Sequence, residues 1–312
     1  MPDGAARAAQ SAEDSDRDRL AQWLGRARRV AGLVRRSPRS LPRMVKGAYL
    51  LSQVERSWPQ RRPPQQPHGL PGRLIVSLTS FPPRYMTLAA TLKCLLSQTV
   101  AADEIILWVA HDDASSLPNE VRALQRHGLT IATTTDLRSF KKIIPTLRER
   151  PGAFIAIADD DVFYARTWLE ELVRGYDPSR RAVLCHRAHL IRMQADGAPA
   201  PYRSWAYDVD THAPSHLLFP TGVGGVLYPP GSLHNDVADV AMFRRLCPQA
   251  DDIWLYWMAR RAGSAIQRVG PRRDMITWPQ SQSFSLQKTN ASPGGANDAQ
   301  IRSMLLHYGF PT

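Results

Sequence analysis

Residues 154–164 read F-I-A-I-A-D-D-D-V-F-Y: five apolar or small side chains run directly into Asp159, Asp160 and Asp161. A run of that length ended by charge fits a strand buried on both faces of a parallel sheet, and a short buried helix carries the same signature. Three adjacent carboxylates repel one another, and drying even one is costly. The cluster therefore belongs at a solvent-filled crevice or around a cation. Open α/β sheets bind ligands at the carboxyl ends of their strands, so the expectation is a divalent metal site at a strand end.

Working outward, strand-like runs alternate with helical ones. Residues 74–80, 104–110 and 129–135 read as strands ahead of 154–158, with helices over 86–97, 119–126 and 143–148 between them. Repeated βαβ units of this length predict a parallel sheet with right-handed crossovers. Beyond the aspartates the pattern predicts a helix over 168–174, a strand over 182–193 turning at Asp196-Gly197, and an irregular stretch over 205–219. A Gly-rich run, Thr221 to Tyr228, leads into a short strand, and helices follow around 238–246 and 253–262.

Charge is distributed unevenly along the 312 residues. Of 40 basic and 28 acidic side chains, 15 and 6 fall within residues 1–73, a surplus of nine that leaves three of the net +12 for the remainder. Residues 1–19 lack large apolar side chains and read as disordered. Residues 20–58 read as a basic amphipathic helical arm, with Leu20, Trp23, Leu24, Val30 and Val34 on one stripe, suited to an anionic membrane surface or to packing on the body. A second apolar stretch, Met44 to Val54, extends it. Residues 59–72 are Pro-rich and read as a linker, so the main domain spans 73–312. The pattern offers no nucleic-acid-binding motif.

Cys94, Cys185 and Cys247 are odd in number and lack metal-ligand spacing, which points to reduced thiols. With no 18-residue apolar run and no secretory leader pattern, the expectation is a cytoplasmic protein, peripheral on the inner face of the plasma membrane.

Five blocks in order, L-I-V-S-L-T-S-F-P-P-R, F-K-K-I-I-P-T-L, I-A-D-D-D-V-F-Y, T-G-V-G-G-V-L-Y-P-P and A-D-D-I-W, resemble bacterial glycosyltransferases of the GT-A fold. The similarity is to family-2-like enzymes that build capsular and other surface polysaccharides, and it covers residues 73–312. It implies an α/β fold: an open, mostly parallel twisted sheet flanked by helices, with a Rossmann-like nucleotide-binding half and an acceptor half. The implied reaction is inverting transfer from a nucleotide sugar, UDP-sugars first among donors, to a glycan or lipid-linked acceptor.

A carboxylate-held Mg²⁺ or Mn²⁺ offsets charge on a departing diphosphate, which is the chemistry this resemblance asks of the aspartates. It implies Asp161 as metal ligand and Asp159 at the ribose or the metal's water shell, with Asp160 open to either role. Asp252, ahead of Asp251, is the implied general base, while either carboxylate could instead cap the helix that follows. Lys141 and Lys142 could meet the diphosphate, and Thr79, Phe81 and Arg84 could line the nucleotide pocket. Thr221, Gly222, Gly224, Gly225 and Trp205 are candidates for the donor sugar or acceptor, as are His212, His216 and Trp278. Asn290, Asn297 and Asp298 could close over the nucleotide or the metal, and His307 could be a third metal ligand.

Two other functions share parts of this pattern. A nucleotidyltransferase that forms sugar nucleotides uses a similar sheet and carboxylates but wants a Gly-rich basic loop after the first strand, where L-T-S-F-P-P-R stands. A non-catalytic membrane-attached scaffold would need none of the aspartates.

Overall fold

The computed structural model describes residues 41–311 except 62, 64, 65, 280 and 282–294. The stretch 1–19, the helix expected over 20–34 and Asn290 lie outside the described residues.

The chain enters as helix α1 (Leu41–Ser57) and then builds β1 (Leu74–Thr79), α2 (Tyr85–Leu95), β2 (Glu104–Ala110), α3 (Asn119–Ala123), β3 (Leu129–Thr134), α4 (Ile144–Glu149) and β4 (Phe154–Ala158). It continues as α5 (Trp168–Arg174), β5 (Ala182–Cys185), β6 (Ala188–Leu190), β7 (Leu218–Pro220), β8 (Val226–Tyr228), α6 (Val240–Leu246), α7 (Asp251–Arg261), β9 (Ala265–Arg268) and α8 (Ala296–Tyr308). Seven strands form one sheet in the order β3-β2-β1-β4-β8-β5-β9, and β6 and β7 pair separately. Phe154–Ala158 is thus a strand, and every residue of it is buried. The expected open, mostly parallel sheet is present.

Alternation along the strands divides the core in two. Ile75, Ile155 and Ile157 face α7 and α8, while Leu74, Val76, Phe154 and Ala156 face α2 and α5. Residues two apart share a face, so both faces of β1 and β4 are apolar because both are covered.

Two features depart from the pattern. β8 runs antiparallel to both its neighbours, β4 and β5. The strand expected over 182–193 breaks at His186-Arg187: β5 stays in the main sheet, and β6 leaves it to pair with β7. At the break the backbone changes partner: the His186 N–H still reaches the Gly225 carbonyl ahead of β8 at 3.3 Å, while the Arg187 carbonyl accepts from the Thr221 N–H at 3.0 Å, next to the β6–β7 pair. Past β6 the chain does turn at Asp196-Gly197, where Gly197 has φ +80°.

Helix α1 packs on α2 through Leu50, Leu51 and Val54 and leaves Val45 and Tyr49 exposed. Lys93 of α2, itself buried, sits between Glu55 (2.5 Å) and Glu120 (2.6 Å). The described part of the Pro-rich stretch is pinned to the body: Gln66 accepts from the Ala101 N–H at 2.9 Å, and His68 meets Asp103 at 3.1 Å. Among the described residues no helix is long and apolar enough to cross a membrane.

Candidate active site

Topology gathers the quoted motifs at one edge of the sheet. β1 and β4 are parallel and end in Ser80 and Asp159–Asp161; the turn Arg138–Lys142 follows β3. Because β8 is reversed, the Gly222–Gly225 turn that precedes it reaches the same edge. The first turn of α7 brings Asp251 and Asp252.

Two charge clusters result. In the first, Asp160 is buried and accepts from Ser80 Oγ (2.5 Å) and Arg84 Nη1 (2.6 Å), with Arg84 also 3.6 Å from Asp161 Oδ1. Burial, then the neighbouring Asp161 charge, pushes Asp160 up to about 6 against the opposing pull of Arg84. Burial alone would lower the Arg84 pKa, but Asp160 and Asp161 outweigh it and raise it. The backbone of Asp161 is held as well, its carbonyl accepting from the Trp278 N–H at 3.0 Å.

The second cluster centres on Lys142, which is 5% exposed. Its Nζ lies 2.9 Å from Asp159 Oδ1 and 2.8 Å from Asp251 Oδ2, the latter an ion pair without hydrogen-bond alignment. Burial works against the ammonium, yet Asp159, Asp251 and Asp252 together hold its pKa well above the ordinary lysine value. Asp252 accepts the Gly222 N–H at 3.0 Å. Burial, then repulsion from Asp251, pushes the Asp252 carboxyl up to about 7, the range suited to a general base at neutral pH. A side chain at Gly222 would place its Cβ 2.9 Å from Asp252 Oδ1 and 3.0 Å from Lys142 Nζ, so the turn packs directly against this pair and any larger residue would have to displace it.

Several candidate residues take other positions. Lys141 turns away from the aspartates to pair with Asp136. Thr79 gives its hydroxyl to the Trp108 carbonyl at 2.8 Å, and the partly exposed Phe81 lies under the Arg84 guanidinium at 5.8 Å. Trp205 is a core residue, 3% exposed, with Nε1 bonded to the Ala200 carbonyl, so it is not open to an acceptor; Trp278 is likewise buried, on Thr91. The Thr221 hydroxyl accepts from Arg187 at 3.0 Å. The room beside Gly224 is filled by the Arg187 Cβ, and that beside Gly225, at φ +93°, by the Trp168 ring. Protein side chains, rather than a sugar, occupy the space these glycines leave.

His307 lies exposed on α8 with its ring against Tyr308, and among the described residues no hydrogen bond or ion pair joins it to Asp159, Asp160 or Asp161. Asp298 accepts from the Tyr202 N–H at 2.7 Å. Neither Asp251 nor Asp252 caps α7; the side-chain oxygen of buried Gln300 accepts instead from the N–H groups of Gln249 and Ala250, both at 3.0 Å.

Gln300 was invisible in the sequence, as was Tyr164, whose hydroxyl takes the Asp159 N–H at 2.8 Å. Ser80 had a signal, its place directly after the first strand. Among the described residues no group of three or more His, Cys, Asp or Glu side chains is arranged to hold a metal unaided. Mg²⁺ is commonly held by one or two carboxylates together with substrate phosphates, and Asp159, with 28% of its side chain exposed, and Asp161 suit that arrangement.

No protein-family model and no curated protein matches the chain. Among solved structures it is similar to a Pyrobaculum calidifontis mannosyltransferase, PcManGT, solved with GDP-Man and Mn²⁺: 12% identity, TM-score 0.39, covering 86% of this chain and 80% of that one. S. aureus TarS 1-349 gives 15% identity and a TM-score of 0.40 over 76% of this chain and 72% of that one. A 4-diphosphocytidyl-2C-methyl-D-erythritol synthase from Anaerococcus prevotii gives 11% identity and 0.39 over 68% and 94%.

Proposed function

We propose that this chain is a glycosyltransferase of the GT-A type that moves a sugar from a nucleoside diphosphate, UDP first among candidates, to a glycan or lipid-linked acceptor. One observation carries the reading: the aspartates after β4 and the acidic pair opening α7 converge on a single buried lysine at the carboxyl edge of the sheet. One half of such a site suits a diphosphate and the other suits an acceptor hydroxyl.

In this reading Asp252 takes the proton from the acceptor hydroxyl, and its raised pKa suits that task at neutral pH. Lys142 and Gly222 hold the base in place and keep Asp159 and Asp251 from repelling it further. Arg84 fixes Asp160 and presents positive charge toward the diphosphate side. Mg²⁺ or Mn²⁺ held by Asp159 and Asp161 would offset the charge on the leaving diphosphate. Direct displacement with a single base gives inversion at the anomeric carbon. Prolines 82 and 83 follow β1 where a nucleotidyltransferase wants backbone N–H groups around phosphate, and proline has none to give.

The proposal includes a role in surface polysaccharide synthesis at the inner face of the membrane, supported by the basic arm. Nine basic and no acidic residues lie from Arg19 to Lys46. Isothermal titration with UDP and Mn²⁺, followed by a screen of nucleotide sugars for metal-dependent turnover, tests the activity. Asp161→Ala should abolish turnover, and full activity in that variant ends the metal assignment. Removal of residues 1–40 should release the protein from phosphatidylglycerol vesicles; undiminished binding ends the membrane role.

A further inference from the structure

A cleft of about 470 Å³ opens between α1 and the body, beside the carboxylate clusters but lined by none of their aspartates. Leu50, Val162, Phe163 and Ile276 give it an apolar floor, and Lys46, Arg272 and Arg273 stand in its wall. The three cations are held differently. Arg273 is clamped on both oxygens of Glu171 at 2.5 and 2.6 Å. Lys46 meets Asp274 at 2.9 Å and Arg272 meets Asp208 at 3.2 Å, in pairs where each cation is more than half exposed. Exposed pairs of this kind are worth about 0–1 kcal/mol, so Lys46 and Arg272 can exchange a carboxylate for a phosphate at little cost. Hydrogen bonds from such cations to phosphate oxygens are among the stronger ones available.

A second observation lies in the inner wall. His186 is buried, its Nε2 paired with the Trp168 carbonyl at 2.8 Å and its Nδ1 facing Glu171 Oε2 at 3.6 Å. Glu171 thereby ties this ring to the same carboxylate that clamps Arg273. Helix α1, which supplies Lys46 and Leu50, is also where the run of nine basic residues in the sequence ends.

We propose that this cleft binds an anionic amphiphile, with a phosphate-type head on Lys46, Arg272 and Arg273 and an apolar chain along Leu50, Phe163 and Met275. Assignment of that amphiphile as the lipid phosphate carrying the acceptor rests on the glycosyl-transfer reading above; the binding itself does not.

Farnesyl phosphate is the probe, titrated into the full chain and followed by calorimetry and by the fluorescence of Trp168, which lines the cleft. Farnesol and inorganic phosphate are run alongside, and UDP with Mn²⁺ is titrated into every sample. Saturable binding of farnesyl phosphate is expected, weakened about tenfold or more in a Lys46→Ala/Arg272→Ala double variant. Met275→Trp, which fills the cleft, should abolish it, and neither variant should alter the UDP isotherm. Farnesol binding as tightly as its phosphate removes the head-group contact, and inorganic phosphate binding as tightly removes the chain. Either result overturns the proposal, as does undiminished binding in Met275→Trp; if that variant fails to fold, the double variant decides. Farnesyl phosphate binding without UDP binding sinks the transferase reading and leaves the cleft intact.

Discussion

The two charge clusters at the carboxyl edge of the sheet use the same parts to opposite ends. Around Asp160, one guanidinium serves the two buried carboxylates Asp160 and Asp161, and the Ser80 hydroxyl adds a hydrogen bond to Asp160. Around Lys142, a single ammonium serves Asp159, Asp251 and Asp252, so negative charge exceeds positive in a nearly dry place. The cluster with the larger excess of carboxylates over cations holds the more strongly raised carboxyl, Asp252 at about 7 against Asp160 at about 6. Under the transferase reading proposed above, the contrast gives Arg84–Asp160 a scaffolding part and Lys142–Asp252 the chemistry.

The sharpest way to break this contrast is Lys142→Met. Three carboxylates would then face one another with no cation, and loss of one partner from a buried ion pair costs about 3–5 kcal/mol. Urea denaturation at pH 7.5 should show a loss of that order together with loss of turnover. Acidification should restore part of the stability, because protonation removes the repulsion. A variant whose stability stays flat across pH would show that the three carboxylates do not share this lysine.

Asp252→Asn comes next and separates chemistry from folding. The amide keeps an oxygen for the Gly222 N–H but cannot accept a proton, so turnover should fall by about 10²–10⁴-fold, the usual worth of a general base. In the wild type kcat/KM should rise with pH to half its plateau near the Asp252 value of about 7, and this limb should vanish in the variant. Stability should move the other way. The folded pKa lies above the unfolded one, so ionising Asp252 costs stability that is retained below the unfolded pKa and lost as pH rises through about 7. Above that pH the Asn variant should therefore melt higher than the wild type.

A third comparison sets Asp160→Ala against Asp159→Ala. Removing Asp160 takes from the Arg84 guanidinium its hydrogen-bonded carboxylate and leaves it only the longer 3.6 Å contact with Asp161, and should cost about 2–3 kcal/mol. Removing the more exposed Asp159 leaves Lys142 still paired with Asp251 and should cost about 1 kcal/mol or less. Thermal melts of the two proteins measure the difference, and equal losses would erase the distinction between the clusters.

Much of this was legible in the chain because parallel strands covered on both faces must be apolar throughout, which the runs at 74–80, 104–110 and 154–158 are. Asp159–Asp161 and Asp251-Asp252 stood out because acidic groups at element ends next to apolar runs need a partner. Direction was harder to read: β8 is three residues long, too short for its sequence to say that it runs backwards. Partner choice was harder still. Lys141 and Lys142 are adjacent and chemically identical, yet a tight turn sends one to Asp136 and the other into the site. Trp205 could not be sorted from an acceptor-binding aromatic because its burial depends on Tyr202 and Phe219 packing around it.

The smallest predicted effect tests how the base is aimed. Gln300, on the last helix, accepts two backbone N–H groups just ahead of α7, and its own amide is fixed on the Ala296 carbonyl at 2.9 Å. It therefore serves α7 as an N-terminal cap supplied from fifty residues away. Gln300→Leu leaves those N–H groups unsatisfied and should cost about 1–2 kcal/mol. Gln300→Glu keeps the accepting oxygen, so stability should largely return, but it adds a negative charge near Asp251 and Asp252. Like charge disfavours ionisation, so the Asp252 titration, followed by carbon-13 NMR of its carboxyl, should move upward in the Glu variant. An unmoved titration would mean that α8 braces α7 without touching the electrostatics of the base, and Gln300 would then be a cap and nothing more.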